Sequence, residues 1–253
     1  MYTFSLLSFV LLMLYKASVG NELPCDIKKC HFGDSVCLMN TINDLIGHYP
    51  NGISEIGLAP LDVTRLQDIS IVDGSKSDPV WLSFHIKNLK NKGFNNATIT
   101  RVKGFNKDPS KSSMIIKAHI PRLIHKGIYN MQSRVLLFVA NATGNFRSEF
   151  LNFRLKMRIK GIQEYRNNKR YLRIYELKPK VELQRWVTWL DSLYKENTDL
   201  TIALNNIINE NWLEFWQDLE PGMLKTFELC LMSILKKVFD NVAYDDLFLP
   251  DEA

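Results

Sequence analysis

An α+β domain, with a long C-terminal helix wrapped by a highly curved antiparallel β-sheet, is the fold class this 253-residue sequence predicts. Three observations lead to it. From about residue 80 to about residue 190 apolar residues recur with period two, as half-buried strands require. Turn signals punctuate that stretch, so consecutive strands fold back as a meander. Beyond residue 198 the period becomes helical, and the last helix is apolar around most of its circumference, which demands cover on nearly all sides.

Taking the chain in order, MYTFSLLSFVLLMLYKASVG carries one charge, Lys16, and an apolar run from Leu6 to Leu14, then Ser18 and Gly20 at cleavage spacing. Residues 1–20 are expected to be a secretory signal peptide. The apolar run is shorter than the ~18 residues a spanning helix needs, and no later segment is long and apolar enough, so the product is not membrane-spanning. Residues 21–253 show no repeat, low-complexity stretch or linker and are expected to form a single extracellular domain.

The net charge of +5 falls to +4 once Lys16 leaves with the signal peptide. So small an excess does not imply nucleic acid, and the cations alternate with core residues, which leaves few aromatics free to stack on bases. Their distribution is uneven: residues 147–185 carry 12 cations and 4 anions, and residues 191–253 carry 4 cations and 13 anions.

In an oxidising compartment, Cys30 and Cys37 are spaced for a local disulfide. A zinc site at Cys25, Cys30, His31 and Cys37 lacks the usual paired short spacings. Cys25 and Cys230 either pair or stay free. Asn96-Ala97-Thr98 and Asn141-Ala142-Thr143 are acceptor tripeptides for N-linked glycosylation.

Ser35 to Ile46 is a predicted helix, with Gly47 and Pro50 as terminators. Residues 52–71 are broken by Gly and Pro into a structured connection. Strands of 10 to 15 residues follow, with turns expected at Asn91-Lys92-Gly93, Gly104 to Ser110, Lys126-Gly127, Gly144-Asn145 and Arg166 to Lys169. In FRLKMRIKG, Phe153, Leu155, Met157 and Ile159 are expected to face the helix, and Arg154, Lys156, Arg158 and Lys160 to face water. One helix is predicted over 199–219, and Pro221-Gly222 is expected to start another running to about Val242.

Several segments together resemble the insect takeout and juvenile hormone-binding protein family over essentially the whole mature length. They are Leu23-Pro24 ahead of Cys30-x6-Cys37, GISEIGLAPLD from Gly52 to Asp62, NATITRVKG, ALNNIINENW from Ala203 to Trp212, and VAYDDLF from Val242 to Phe248. The resemblance implies a tubular lipid-binding fold, takeout-like, whose interior tunnel holds a lipophilic ligand carried through body fluid. Ser54, Ala59 and Val63 stand where family members often have proline. No second late cysteine accompanies Cys230, and residues 144–150 contain no tyrosine, two departures from moth hormone carriers. A terpenoid hormone, a fatty acid or a similar lipophile is therefore the implied ligand class.

A carrier needs an apolar wall with one or two polar groups to orient its cargo. The candidate wall is Phe84, Ile86, Ile116, Ala118, Leu137, Phe153, Leu155 and Met157 from the sheet, with Leu224, Phe227, Leu231 and Ile234 from the helix. Each of these also suits plain core packing. No G-x-S-x-G elbow, H-E-x-x-H pair or phosphate-cradling glycine loop occurs, so no catalytic residue, metal or cofactor is assigned and the chain is not expected to be an enzyme. His85 and His119 fall on the outer parity of their strands. A second reading uses the basic sheet face, Arg154, Lys156, Arg158 and Lys160 with Arg166, Lys169, Arg170 and Arg173, to dock on an anionic membrane, proteoglycan or receptor; its alternative is a solvated face that blunts edge pairing.

Overall fold

The structure, a computed structural model, describes residues 22–66, 68–73, 80–135, 138–195 and 197–250. The expected signal peptide and Leu137 lie outside them. Helix α1 (Ser35–His48) begins at Asp34, whose side chain accepts the Cys37 amide at 2.9 Å. Strands β1 (Val63–Arg65), β2 (Ile69–Asp73), β3 (Val80–Lys92), β4 (Thr98–Lys103), β5 (Met114–Val135), β6 (Phe138–Arg166), β7 (Lys169–Glu182) and β8 (Arg185–Leu190) follow. Helices α2 (Thr198–Glu210) and α3 (Trp212–Asn241) close the chain.

All eight strands form one antiparallel, unclosed sheet of order β1-β3-β5-β6-β7, with β2 also on β3, β4 on β5 and β8 on β6. The two longest strands change neighbours along their length. The first part of β5 pairs with β4 and its last part with β3, while β6 pairs with β8 through Phe146–Leu151 and with β7 from Arg154 onward. The sheet is therefore two halves joined by continuous strands.

At the joint, Pro121 and Asn152 lie between the Ile120–Phe153 and Arg122–Leu151 pairs, and Asn152 has φ of +49°, a region asparagine tolerates better than most residues. The inward residues change phase there. In β5 they are even-numbered through Ile120 and odd-numbered from Leu123; in β6 they are even-numbered through Phe150 and odd-numbered from Phe153. Asn88, at φ +53° beside a register shift, does the same in β3.

Expectation and structure differ at three places. Lys126-Gly127 and Gly144-Asn145 are not turns but lie inside β5 and β6, which run for 22 and 29 residues. The glycines allow close approach instead: a Cβ at Gly144 would sit 2.2 Å from the Asp191 carbonyl oxygen, and one at Gly127 2.8 Å from that of Lys87. Second, the helix break comes at Asn211, where the backbone leaves helical geometry and Nδ2 donates to the Ile207 carbonyl at 2.8 Å; Pro221 lies inside α3. Losing one backbone donor at Pro221 is outweighed because Trp216 and Phe227, on either side, are buried in the same cluster. Third, α3 is buried along one face only, through Trp216, Phe227, Cys230, Leu231 and Phe239, with Leu229 46% exposed, because an open sheet covers a single side.

The Arg166 to Lys169 turn holds: Asn167 and Asn168 both have positive φ, as a two-residue hairpin turn requires. Cys30 and Cys37 form a disulfide, while Cys25 is a free exposed thiol and Cys230 a free buried one. Asp245 and Asp246 pair with Arg170 and Lys169, and so fix the C-terminal segment to β7.

Candidate functional site

The predicted wall residues divide between two apolar clusters on the inner side of the sheet. Ile116, Ala118, Phe153, Leu155, Met157, Phe227 and Leu231 are buried in the larger one, with Leu224 and Ile234 packed against it. Phe84 and Ile86 belong to the smaller one, with Tyr129, Ala142 and Phe146. Phe227 is the hub of the larger cluster, its ring centroid 5.0 Å from Phe153 and 5.6 Å from Phe150. Beyond Phe150 the contacts continue to Trp216 and then Trp186, each step 6.0 Å. Such rings offer large, stiff apolar surface.

Between the clusters the strand register aligns polar residues that sequence reading did not bring together. Asn91 of β3 faces His125 of β5, His125 faces Ser148 of β6, and Ser148 faces Thr188 of β8. All four are buried, at 0, 2, 5 and 4% exposure. Four strands at about 4.8 Å spacing make this a row about 14 Å long. On one side of it lie Leu123, Phe150 and Trp186; on the other lie Leu89, Gly127, Phe146 and Leu190.

Ser148 and Thr188 satisfy one another, with hydroxyls 2.8 Å apart. Asn91 donates from Nδ2 to Sγ of Cys230 on α3 at 2.9 Å, but its Oδ1 has no protein partner, and neither has Nε2 of His125. Burial pushes the His125 pKa down to about 3, so its imidazole is neutral, and pushes the Cys230 thiol up to about 12. The His125 ring lies 4.9 Å from Phe150 and 5.2 Å from Phe227. The indole Nε1 of Trp186, one row away, is likewise buried without a partner. Unpaired buried polar atoms are uncommon in native proteins because each forfeits its hydration.

Helix α2 seals the end of the row. Asn205 accepts the Leu190 amide and donates to the Leu190 carbonyl, at 2.9 and 3.0 Å; Asn209 does the same for Thr188, at 2.8 and 2.7 Å. Two side-chain amides one helical turn apart thus stand in for a neighbouring strand along β8. This gives the N-x3-N spacing inside ALNNIINENW a structural role.

Outside, the cations of FRLKMRIKG face away from the core, as expected, and the register places Arg101, Lys117, Lys156 and Lys180 in one row across β4, β5, β6 and β7. Part of the wider basic set is neutralised, Lys160 by Glu176 and both Lys169 and Arg170 by the C-terminal aspartates. His85 bonds to Ser70 and Ser83, and His119 to Asn152. Asn96 and Asn141 are exposed. A groove of about 750 Å³ is lined by Arg65, Lys90, Lys126, Arg147 and Trp189 and by none of the predicted wall residues. No helix among the described residues is long and apolar enough to cross a membrane.

Asn91, His125, Ser148, Thr188 and Trp186 were not singled out from the sequence, although the structure buries all five on the inner face. Asn91 reads as a turn residue beside Gly93, and the phase change at Pro121 hides the inward orientation of His125. The signal available was the run of alternation on each side of Pro121, whose two halves are out of phase by one residue.

Residues 8–249 match the model of the family described as haemolymph juvenile hormone binding protein (JHBP). The circadian clock-controlled protein daywake of Drosophila yakuba is 22% identical over 237 residues, 92% of this chain and 91% of that protein. The crystal structure of Epiphyas postvittana Takeout 1 superposes with a TM-score of 0.67 at 20% identity, covering 88% of this chain and 97% of that one. With the open antiparallel sheet, the long C-terminal helix on its inner face and the N-terminal disulfide loop in place, a match over nearly the whole length leads to one conclusion: the chain belongs to the haemolymph juvenile hormone binding protein family.

Proposed function

We propose that this protein is a secreted, non-enzymatic carrier that sequesters a small hydrophobic molecule between the inner face of the sheet and α3. The observation that carries the proposal is the lining of that interface: two apolar clusters, rich in aromatic rings, enclose a few polar atoms of which several have no protein partner. That is the composition of a lipophile site, in which area supplies affinity and a few polar groups supply orientation. Because α3 is held along one face only, it can shift outward without breaking a strand-to-strand hydrogen bond. Family membership supports the same reading.

Native mass spectrometry of protein secreted from insect cells, followed by solvent extraction, tests it. The expected result is a stoichiometric lipophile on a chain that begins near Asn21, with glycan mass at Asn96 or Asn141. In an aliphatic homologous series each added methylene should contribute about 0.8 kcal/mol, close to fourfold in affinity, until the interior is filled. A clean apo mass with no uptake from terpenoid and fatty-acid panels would overturn the carrier reading.

One observation favours docking on an anionic surface as an additional role. Cations directly opposite one another on neighbouring strands repel, and the row Arg101, Lys117, Lys156 and Lys180 keeps four of them aligned. An anionic surface would relieve that repulsion, with a dependence on salt that burial of a lipophile does not share.

A further inference from the structure

The following rests on the carrier reading and adds the chemical class of the cargo. We infer that Asn91 and His125 together recognise a single uncharged hydroxyl group, so that the protein selects lipophilic alcohols over carboxylates with the same hydrocarbon tail.

Three features support this. Asn91 and His125 are register partners with side chains on the inner face, which places their Cβ atoms about 5 Å apart. The amide of Asn91 is oriented by its bond to Cys230 Sγ, so the atom left unpaired is Oδ1, which can only accept. The atom left unpaired on His125 is Nε2 of a neutral ring, which donates in the tautomer that carries the ring proton on Nε2.

A hydroxyl group both donates and accepts. It can give its proton to Asn91 Oδ1 and take the His125 Nε2–H, completing both atoms at once. An ester or ketone only accepts, and would leave Oδ1 bare. A carboxylate only accepts and brings a charge. The inner-face residues around the pair, Leu89, Leu123, Gly127, Ser148 and Phe150, with Phe227 and Cys230 from α3, include no cation to receive it. Burying such an anion unpaired is prohibitive.

The test compares lauryl alcohol, methyl laurate and laurate at neutral pH by displacement of an environment-sensitive fluorophore from the full mature protein. The expected order is alcohol, then ester, then laurate, with the alcohol about ten- to a hundredfold tighter than laurate, the scale expected when buried polar groups go unpaired. Asn91→Leu, which keeps the branch at Cγ but offers no acceptor, should bring alcohol and ester within about threefold of each other. Should that variant fail to fold, the wild-type protein still reports: in nitrogen-detected NMR the His125 Nε2 resonance should shift with the alcohol and stay in place with laurate. Equal affinities, tighter laurate, or an alcohol preference that persists in folded Asn91→Leu would overturn the inference while leaving the carrier reading intact. Failure of all three probes to bind would overturn the inference, and the carrier reading with it where the terpenoid and fatty-acid panels are refused as well.

Discussion

Replacing Asn205 with leucine should destabilise the protein by about 2–6 kcal/mol, although it places a larger apolar side chain at a fully buried helix position. On hydrophobicity alone the change would stabilise. The opposite sign is expected because Asn205 satisfies both the amide and the carbonyl of Leu190, on the side of β8 turned away from β6. Leucine would bury those two groups without partners, at about 1–3 kcal/mol each. Urea unfolding reads the stability, and hydrogen exchange reads the mechanism: the Leu190 amide should lose protection, while the Thr188 amide keeps the part supplied by Asn209. An unchanged midpoint, or a higher one, would show that the asparagine pair is dispensable to the edge of the sheet.

Acid should weaken the fold through His125 before the carboxylates respond. In the unfolded chain His125 titrates near 6.5, and in the folded chain burial holds it at about 3. As pH falls below 6.5 the unfolded state takes up a proton that the folded state refuses. The contribution is therefore fully present above 6.5 and is lost progressively on the way down to about 3. Between pH 6.5 and 4.5 the loss is about 2–3 kcal/mol at 1.36 kcal/mol per unit. Glu149 adds to acid sensitivity only lower down. Burial opposes its ionisation, but hydrogen bonds from Arg122 and Arg147 outweigh burial and hold it below its usual value of 4.5. His125→Phe, neutral and similar in shape, should flatten the stability profile above pH 4.5. A profile that stays steep in this variant would assign the acid sensitivity to other groups.

Much of the architecture was legible because it depends on local pattern. Period-two alternation in FRLKMRIKG placed Phe153, Leu155, Met157 and Ile159 inside, and all four are buried. The close spacing of Cys30 and Cys37 and the turn at Asn167 and Asn168 are equally local. Where the sequence misled, the same residue type serves two purposes. Gly127 and Gly144 look like turn residues but admit a neighbouring backbone, and Pro221 looks like a helix start but is carried within α3.

By itself, then, the sequence determined the passage from strands to closing helices, the alternation in FRLKMRIKG, the disulfide loop and the hairpin turn at Asn167 and Asn168, because all of these arise from residues a few positions apart. Only the tertiary structure decided which apolar residues share a cluster, and that Asn91, His125, Ser148 and Thr188 form one buried row. Those four come from four strands well separated in the chain, and their alignment depends on register and on phase changes at Asn88 and Asn152. A shift of one residue moves every side chain of a strand to the opposite face. The residues on which cargo recognition is proposed to rest are thus set by long-range pairing rather than by any motif that can be seen along the chain.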